Sequence, residues 1–254
     1  MGGDRRAFVV TGATGNLGEP IARRLVDRGD GVLLVGRDES KLRSLCQRLG
    51  LGDSAYWAGD MLLPEEADAA AAYACAQHGR LDGLIHLVGS FHMGTPATVA
   101  ASDLYGELFR SNVLSAVTAT ASVLPRLDGG GYLVYLSSLL AEEPMAGSAP
   151  YAAAKAALHA WVRALSREVK DGNVHANVVV TSRIDTPARR ALFPGADFST
   201  WVPADDLAAL VAMLTSPAAA GVHGAVIRAC GTFALEMPGA GAGRGPATTT
   251  GGRP

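Results

Sequence analysis

Ala7-Phe8-Val9-Val10-Thr11-Gly12-Ala13-Thr14-Gly15-Asn16-Leu17-Gly18 is the stretch whose reading sets the architecture. Residues 7–11 form a short apolar run with no polar alternation, which reads as a strand buried on both faces. The run ends in a turn carrying glycines at 12, 15 and 18. Helical periodicity then spans residues 17–28, with Leu17, Ile21, Leu25 and Val26 on one side and Gly29 as terminator. A buried strand passing through such a turn into a helix presents backbone N–H groups at a helix N-terminus, where a pyrophosphate is stabilised. Gly12, Thr14, Gly15, Asn16, Leu17 and Gly18 are therefore the candidate contacts to a dinucleotide.

The alternation continues outward from this unit. Further apolar strands are predicted at 32–35, 55–58, 83–88, 132–136, 176–180 and 225–228. Helices are predicted from an Asp38 cap through Leu49, from about Pro64, and over 103–127, 149–170 and 204–215. Continuous apolar strands separated by amphipathic helices imply an α/β fold: a single-domain, Rossmann-like, doubly wound parallel sheet flanked by helices. Right-handed crossovers place its ligand crevice at the C-terminal ends of the strands. No linker interrupts residues 1–236, read as one dinucleotide-binding and catalytic domain. Residues 237–254, rich in Gly, Ala, Pro and Thr, have little to bury and are expected to be a disordered tail.

Composition narrows the function. A formal net charge of -2 and an isoelectric point near 6.3 give no polyanion-binding signal, so no nucleic-acid partner is expected. Cys46, Cys75 and Cys230 are far apart with no CxxC, and the six histidines show no HExxH spacing, so neither a disulfide framework nor a metal site is expected. A polar start running straight into a strand, and the lack of an apolar run of about 18 residues, predict a cytoplasmic protein with no membrane partner.

The end of the second strand bears on the cofactor. An NAD site usually has a carboxylate there for the ribose 2′-hydroxyl. This chain has Gly36-Arg37-Asp38. Gly36 offers nothing to repel a 2′-phosphate and Arg37 offers a guanidinium to pair with it, while Asp38 serves as a helix cap. NADP(H) is therefore favoured over NAD(H).

The chemistry centres on Tyr151 and Lys155, four apart on one predicted helix and hence one turn apart on one face. A free phenol, pKa about 10, exchanges protons poorly at neutral pH, and a neighbouring ammonium brings it toward the working range. Thirteen residues before Tyr151, the fifth strand ends in Ser137-Ser138 at the ligand-binding edge, where one hydroxyl can bond a substrate oxygen. Asn112 sits in the middle of a predicted helix, an odd choice for packing alone.

In these residues, taken in this order, the chain resembles the short-chain dehydrogenase/reductases over nearly all of Ala7 to Gly231. The resemblance implies that Tyr151 donates or accepts the proton, Lys155 tunes it and holds the nicotinamide ribose, and Ser138 orients the carbonyl. Asn112 would anchor a water relay to Lys155, Asp60 would bond the adenine, Thr186 the carboxamide, and Gly89 would line the cofactor site. It also implies a homodimer or homotetramer built on the helices at 103–127 and 149–170. The chain departs from the family pattern in three places. Asn16 breaks the usual glycine spacing, His86-Leu87-Val88-Gly89 replaces Asn-Asn-Ala-Gly, and Thr181-Ser182 replaces Pro-Gly.

A second, local resemblance covers about a tenth of the chain. Asp185-Thr186-Pro187, Phe193-Pro194, Ala196-Asp197-Phe198-Ser199 and Trp201 are similar to a stretch of the dihydropteridine reductases. Three functions follow as expectations: an NADP(H)-dependent reductase of a small-molecule carbonyl, a pterin reductase, and a non-catalytic nucleotide-binding scaffold. His86 and His92 are expected to flank the pocket mouth, in a structural or substrate-contacting role rather than a catalytic one.

Overall fold

The structure, a computed structural model, describes residues 5–99, 101–127 and 129–232. The predicted tail, and the last residues of the predicted domain, lie outside this range.

Seven strands form one parallel sheet: β1 (Ala7–Thr11), β2 (Gly31–Gly36), β3 (Tyr56–Ala58), β4 (Gly83–His86), β5 (Gly131–Ser138), β6 (Val174–Thr181) and β9 (Val226–Ala229). Their spatial order is β3-β2-β1-β4-β5-β6-β9. The chain moves outward from β1 to β3, then returns to lay β4 on the other side of β1. A crevice opens at that reversal, above the C-terminal ends of β1 and β4.

Side chains alternate between two cores because successive strand residues face opposite ways. Val9, Leu33, Leu84 and Leu133 pack with α3 (Pro64–His78), α5 (Ser115–Val123) and α6 (Ala149–Val169). Phe8, Val10, Leu34, Ile85 and Val134 face α1 (Gly18–Asp27), α2 (Glu39–Arg48) and α8 (Ala204–Leu214). With both faces covered, the strands have to be apolar throughout, which is why the first five residues quoted above lack alternation. The turn after β1 closes tightly on the neighbouring loop. Gly12 has φ +68°, and a side chain there would stand 2.9 Å from the backbone of Leu87 and Val88.

The structure departs from the expected elements in three ways. The predicted helix over 103–127 is broken: α4 (Ser102–Phe109) gives way to a π turn at Arg110–Leu114 before α5 resumes, and a short 3-10 turn, Leu124–Arg126, ends it at Pro125. The fourth strand stops at His86, and the backbone beyond it turns to meet Gly12. Residues 184–203 form an excursion no periodicity signalled: β7 (Ile184–Asp185) pairs in parallel with β8 (Val202–Pro203), and α7 (Pro187–Leu192) lies between.

Candidate active site

The nucleotide end is built from the β1 turn and the end of β2. Thr14, Gly15 and Asn16 are exposed at the crest of the turn, while Leu17 and Gly18 are buried where α1 begins. Thr14 leans toward Gly36, its Oγ1 lying 3.5 Å from where a Gly36 side chain would begin. Beside them a cleft of about 230 Å³ is lined by Thr14, Gly15, Ser40, Lys41 and Arg48, among others. Arg37 is exposed at the strand end. Asp38 turns away into α2, accepting from Lys41 N at 3.1 Å and from the Ser40 hydroxyl at 2.7 Å. The cap expected from sequence is the observed one. Asp60 follows β3, with one carboxylate oxygen accepting from Leu62 N at 3.0 Å.

The chemical end lies at the C-terminal edge of β4, β5 and β6. Asn112 is fully buried in the π turn. Its Nδ2 donates to Leu108 O at 2.9 Å, Ser90 O at 3.0 Å and Ser111 Oγ at 3.2 Å. Those acceptors fix the amide so that Oδ1 faces the other way, and Oδ1 has no partner among the described residues. A side chain at Gly89 would begin 2.4 Å from that oxygen and 3.2 Å from Lys155 Nζ. The end of β4, the π turn and α6 thus converge on one glycine.

Lys155 Nζ donates to Leu136 O at 3.0 Å. Burial lowers its pKa from 10.5 to about 8. Burial also raises the Tyr151 phenol above its usual 10, and a side-chain hydrogen bond with Ser138 opposes that rise. The sequence reading gave Lys155 the task of lowering the phenol's pKa; in the structure burial dominates. Of the two serines ending β5, Ser137 is held by His159 Nε2 at 2.7 Å on the α6 face. Only Ser138 remains for Tyr151.

Two placements differ from expectation or were missed. His86 is not at a pocket mouth: it is buried, with Nδ1 2.8 Å from Thr11 Oγ1 and Nε2 3.1 Å from Ser115 Oγ. Because Ser115 Oγ donates to Ser111 O, His86 Nε2 is the donor and Thr11 supplies a proton to Nδ1. Burial, then the Lys155 charge, push its pKa down to about 3, so it is a neutral strut behind the site. His92 instead bonds Thr95 Oγ1 at 2.8 Å in the loop after β4. The missed residue is Thr181, cross-strand neighbour of Ser138, whose buried hydroxyl has no partner among the described residues. The Thr-for-Pro departure was its only signal in the sequence. Thr186 Oγ1 accepts from Arg189 N at 3.2 Å, capping α7.

This arrangement fits a nicotinamide dinucleotide. Asn112 Oδ1 and Thr181 Oγ1 are buried polar atoms without partners among the described residues, each a cost of about 1–3 kcal/mol unless something bonds them. They sit at the edge where a glycine turn and a side-chain-free Gly89 leave the backbone open to approach. No group of His, Cys, Asp and Glu among the described residues is placed to hold a metal ion.

The short chain dehydrogenase profile matches residues 6–197. The chain belongs to that family. This short-chain dehydrogenase is 35% identical over 173 residues to a hydroxysteroid 11-beta-dehydrogenase 1-like protein of Macaca fascicularis. That match takes in 65% of the chain and spans only 60% of the relative's length. It is 28% identical to an uncharacterized oxidoreductase of Staphylococcus epidermidis over 88% of the chain and 96% of that protein. Among solved structures, a short-chain dehydrogenase/reductase from Mycobacterium ulcerans superposes with TM-score 0.82 at 27% identity, covering 89% of each chain. An actinorhodin polyketide ketoreductase solved with NADPH superposes at 0.79 with 25% identity, covering 90% of this chain and 97% of that one. No described helix is long and apolar enough to cross a membrane.

Proposed function

We propose that this short-chain dehydrogenase is an NADP(H)-dependent carbonyl reductase, running reversibly as an alcohol dehydrogenase, with Tyr151 as proton donor. The observation that carries this reading is the convergence of Asn112 Oδ1 and Lys155 Nζ on Gly89, beside a buried Tyr151 whose phenol pKa is raised by that burial and lowered by Ser138. When bound, the reduced nicotinamide supplies a hydride. The chain does the rest. Ser138 orients the substrate oxygen, and Tyr151 gives its proton to the developing alkoxide. A phenol whose pKa burial has raised stays protonated at neutral pH, as a donor in the reductive direction must. Lys155, partly charged near pH 8, holds the nicotinamide ribose and reprotonates Tyr151 through a relay anchored at Asn112 Oδ1. Thr186 keeps its hydroxyl proton for the carboxamide, since its oxygen is the acceptor in the α7 cap.

Arg37, exposed at the end of β2, and Lys41 in the adjacent cleft support the choice of NADP(H), as does the capping role of Asp38. Exposed Phe109 and Leu114 at the π turn support a homodimer or homotetramer formed on these helices. Three free cysteines suit a reducing cytoplasm. The test is NADPH oxidation, followed by absorbance, against a panel of ketones and aldehydes. Absence of turnover on every member, by a protein that binds NADPH, would sink the reading.

A further inference from the structure

The loop after β4 and the excursion at 184–203 flank the catalytic edge, and both carry apolar side chains to the surface. Phe91 is 62% exposed although its ring stands edge-to-face with Tyr151, centroids 5.0 Å apart at 79°. Tyr151 itself is buried, packed with Leu108, Leu140 and Ala154. The open face of the Phe91 ring thus lies beside the candidate proton donor, where it can pack against an apolar part of a substrate.

The loop is held in place. Ser90 Oγ bonds Ser111 Oγ at 2.5 Å, and Gly94 N donates to Gly147 O at 3.0 Å, tying it to the π turn and to the approach to α6. Phe91 is therefore carried on a segment fastened at both sides.

Charge points the same way. Residues 90–101 contain no Asp, Glu, Lys or Arg. Glu142 and Glu143, after β5, are both paired with Arg228. Across the edge, Arg190 is bidentate to Asp185, Arg189 lies 5.9 Å from the centroid of Phe193, and Arg183 lies 5.8 Å from that of Trp201. A charged substrate would meet no counter-charge on the Phe91 loop itself.

We propose that Phe91, with Tyr151, forms the wall that selects the substrate, and that the substrate is an uncharged aryl ketone or aldehyde whose ring packs on Phe91 while its oxygen reaches Tyr151. This rests on the carbonyl-reductase reading above. The chemistry is the same balanced step: a C–H bond forms from the nicotinamide hydride, the carbonyl oxygen takes the Tyr151 proton, and NADPH is oxidised as the ketone becomes a secondary alcohol. Phe91 touches the substrate without exchanging protons, so its effect falls on KM.

The experiment uses the full chain with NADPH and three substrates, acetophenone, butanone and pyruvate, in the parent and in Phe91→Ala and Phe91→Tyr. Acetophenone binding to the NADP⁺ complex is measured in parallel by calorimetry. The parent should prefer acetophenone. Phe91→Ala should raise its acetophenone KM about three- to tenfold, the scale of one aromatic contact, and by more than it raises the butanone KM. Phe91→Tyr, which keeps the ring, should restore the parent KM. An acetophenone KM that Phe91→Ala leaves unmoved, or a parent preference for pyruvate, overturns the proposal while the reductase reading stands. Binding of acetophenone that depends on Phe91, without turnover of any ketone, upholds the wall and removes the reductase reading. Neither binding nor turnover overturns both.

Discussion

Lys155 Nζ donates to the carbonyl oxygen of Leu136 at 3.0 Å, so a buried ammonium on α6 is anchored to the strand that ends in Ser138. Its folded pKa, about 8, lies below its ordinary 10.5. Below pH 8 the fold bears the whole cost of burying the charge. Between pH 8 and 10.5 the unfolded chain holds more protons, so this part of the stability rises with pH across that window. The shift corresponds to something on the order of 3 kcal/mol. Lys155→Met should therefore raise Tm by several degrees at pH 7 while removing activity, and the gain should shrink toward pH 10. Thermal denaturation of the parent and variant at both pH values checks the sign. A variant less stable than the parent at pH 7 would mean that the Leu136 bond outweighs the desolvation.

Tyr151→Phe removes the transferable proton with little loss of packing volume. It should lower kcat by about a hundredfold or more, while NADPH affinity stays within the parent's range. Steady-state kinetics and a fluorescence titration of NADPH measure the two separately. Near-normal turnover would assign the proton to another group.

What could be read from the sequence follows from how each feature is encoded. Tyr151 and Lys155 were legible because a four-residue spacing on a helix fixes which face both occupy. The parallel sheet was legible because five-residue apolar runs have no other stable use beside amphipathic helices. Spacing alone left Ser137 and Ser138 open and the family resemblance pointed to Ser138; in the structure His159 occupies Ser137, which leaves Ser138 at the site. The π turn around Asn112 was hidden for a different reason: one extra residue in a helical turn barely alters hydrophobic periodicity, although Asn112 itself stood out as a poor helix residue. His86 was expected at the pocket mouth rather than buried behind the site because its partners, Thr11 and Ser115, are distant in sequence. The two-residue strands at 184–185 and 202–203 are too short to show any period.

Gly89→Ala tests the convergence directly. The new methyl group would start 2.4 Å from Asn112 Oδ1, too close for any relaxed contact, and Asn112 is buried with its amide held by three acceptors. The variant should lose about 1–3 kcal/mol of stability, the scale of an overpacked site. It should also lose turnover more steeply than Tm predicts, because Asn112 and Lys155 are displaced together. Wild-type Tm with wild-type kcat would show that the three elements do not meet closely at Gly89.

Cofactor choice is the last test, and its geometry is favourable. A side chain at Gly36 would meet Thr14 Oγ1 at 3.5 Å and Leu42 Cδ2 at 3.6 Å, ordinary contacts, so Gly36→Asp can be made without strain. Arg37 is exposed beside it, and Asp38 is committed to the α2 cap through Lys41 N and Ser40. A charge-assisted contact between one guanidinium and a 2′-phosphate contributes roughly 1.5–3 kcal/mol, about ten- to a hundredfold in affinity. Arg37→Ala should remove that margin for NADPH and leave NADH binding nearly unchanged. Adding Gly36→Asp should then repel the 2′-phosphate and accept the ribose 2′-hydroxyl of NADH, reversing the preference. Titration of both cofactors against the parent, the single variant and the double variant resolves the two effects. If the parent binds NADH more tightly than NADPH, Arg37 does not read the phosphate, and Lys41 in the neighbouring cleft is insufficient to do so.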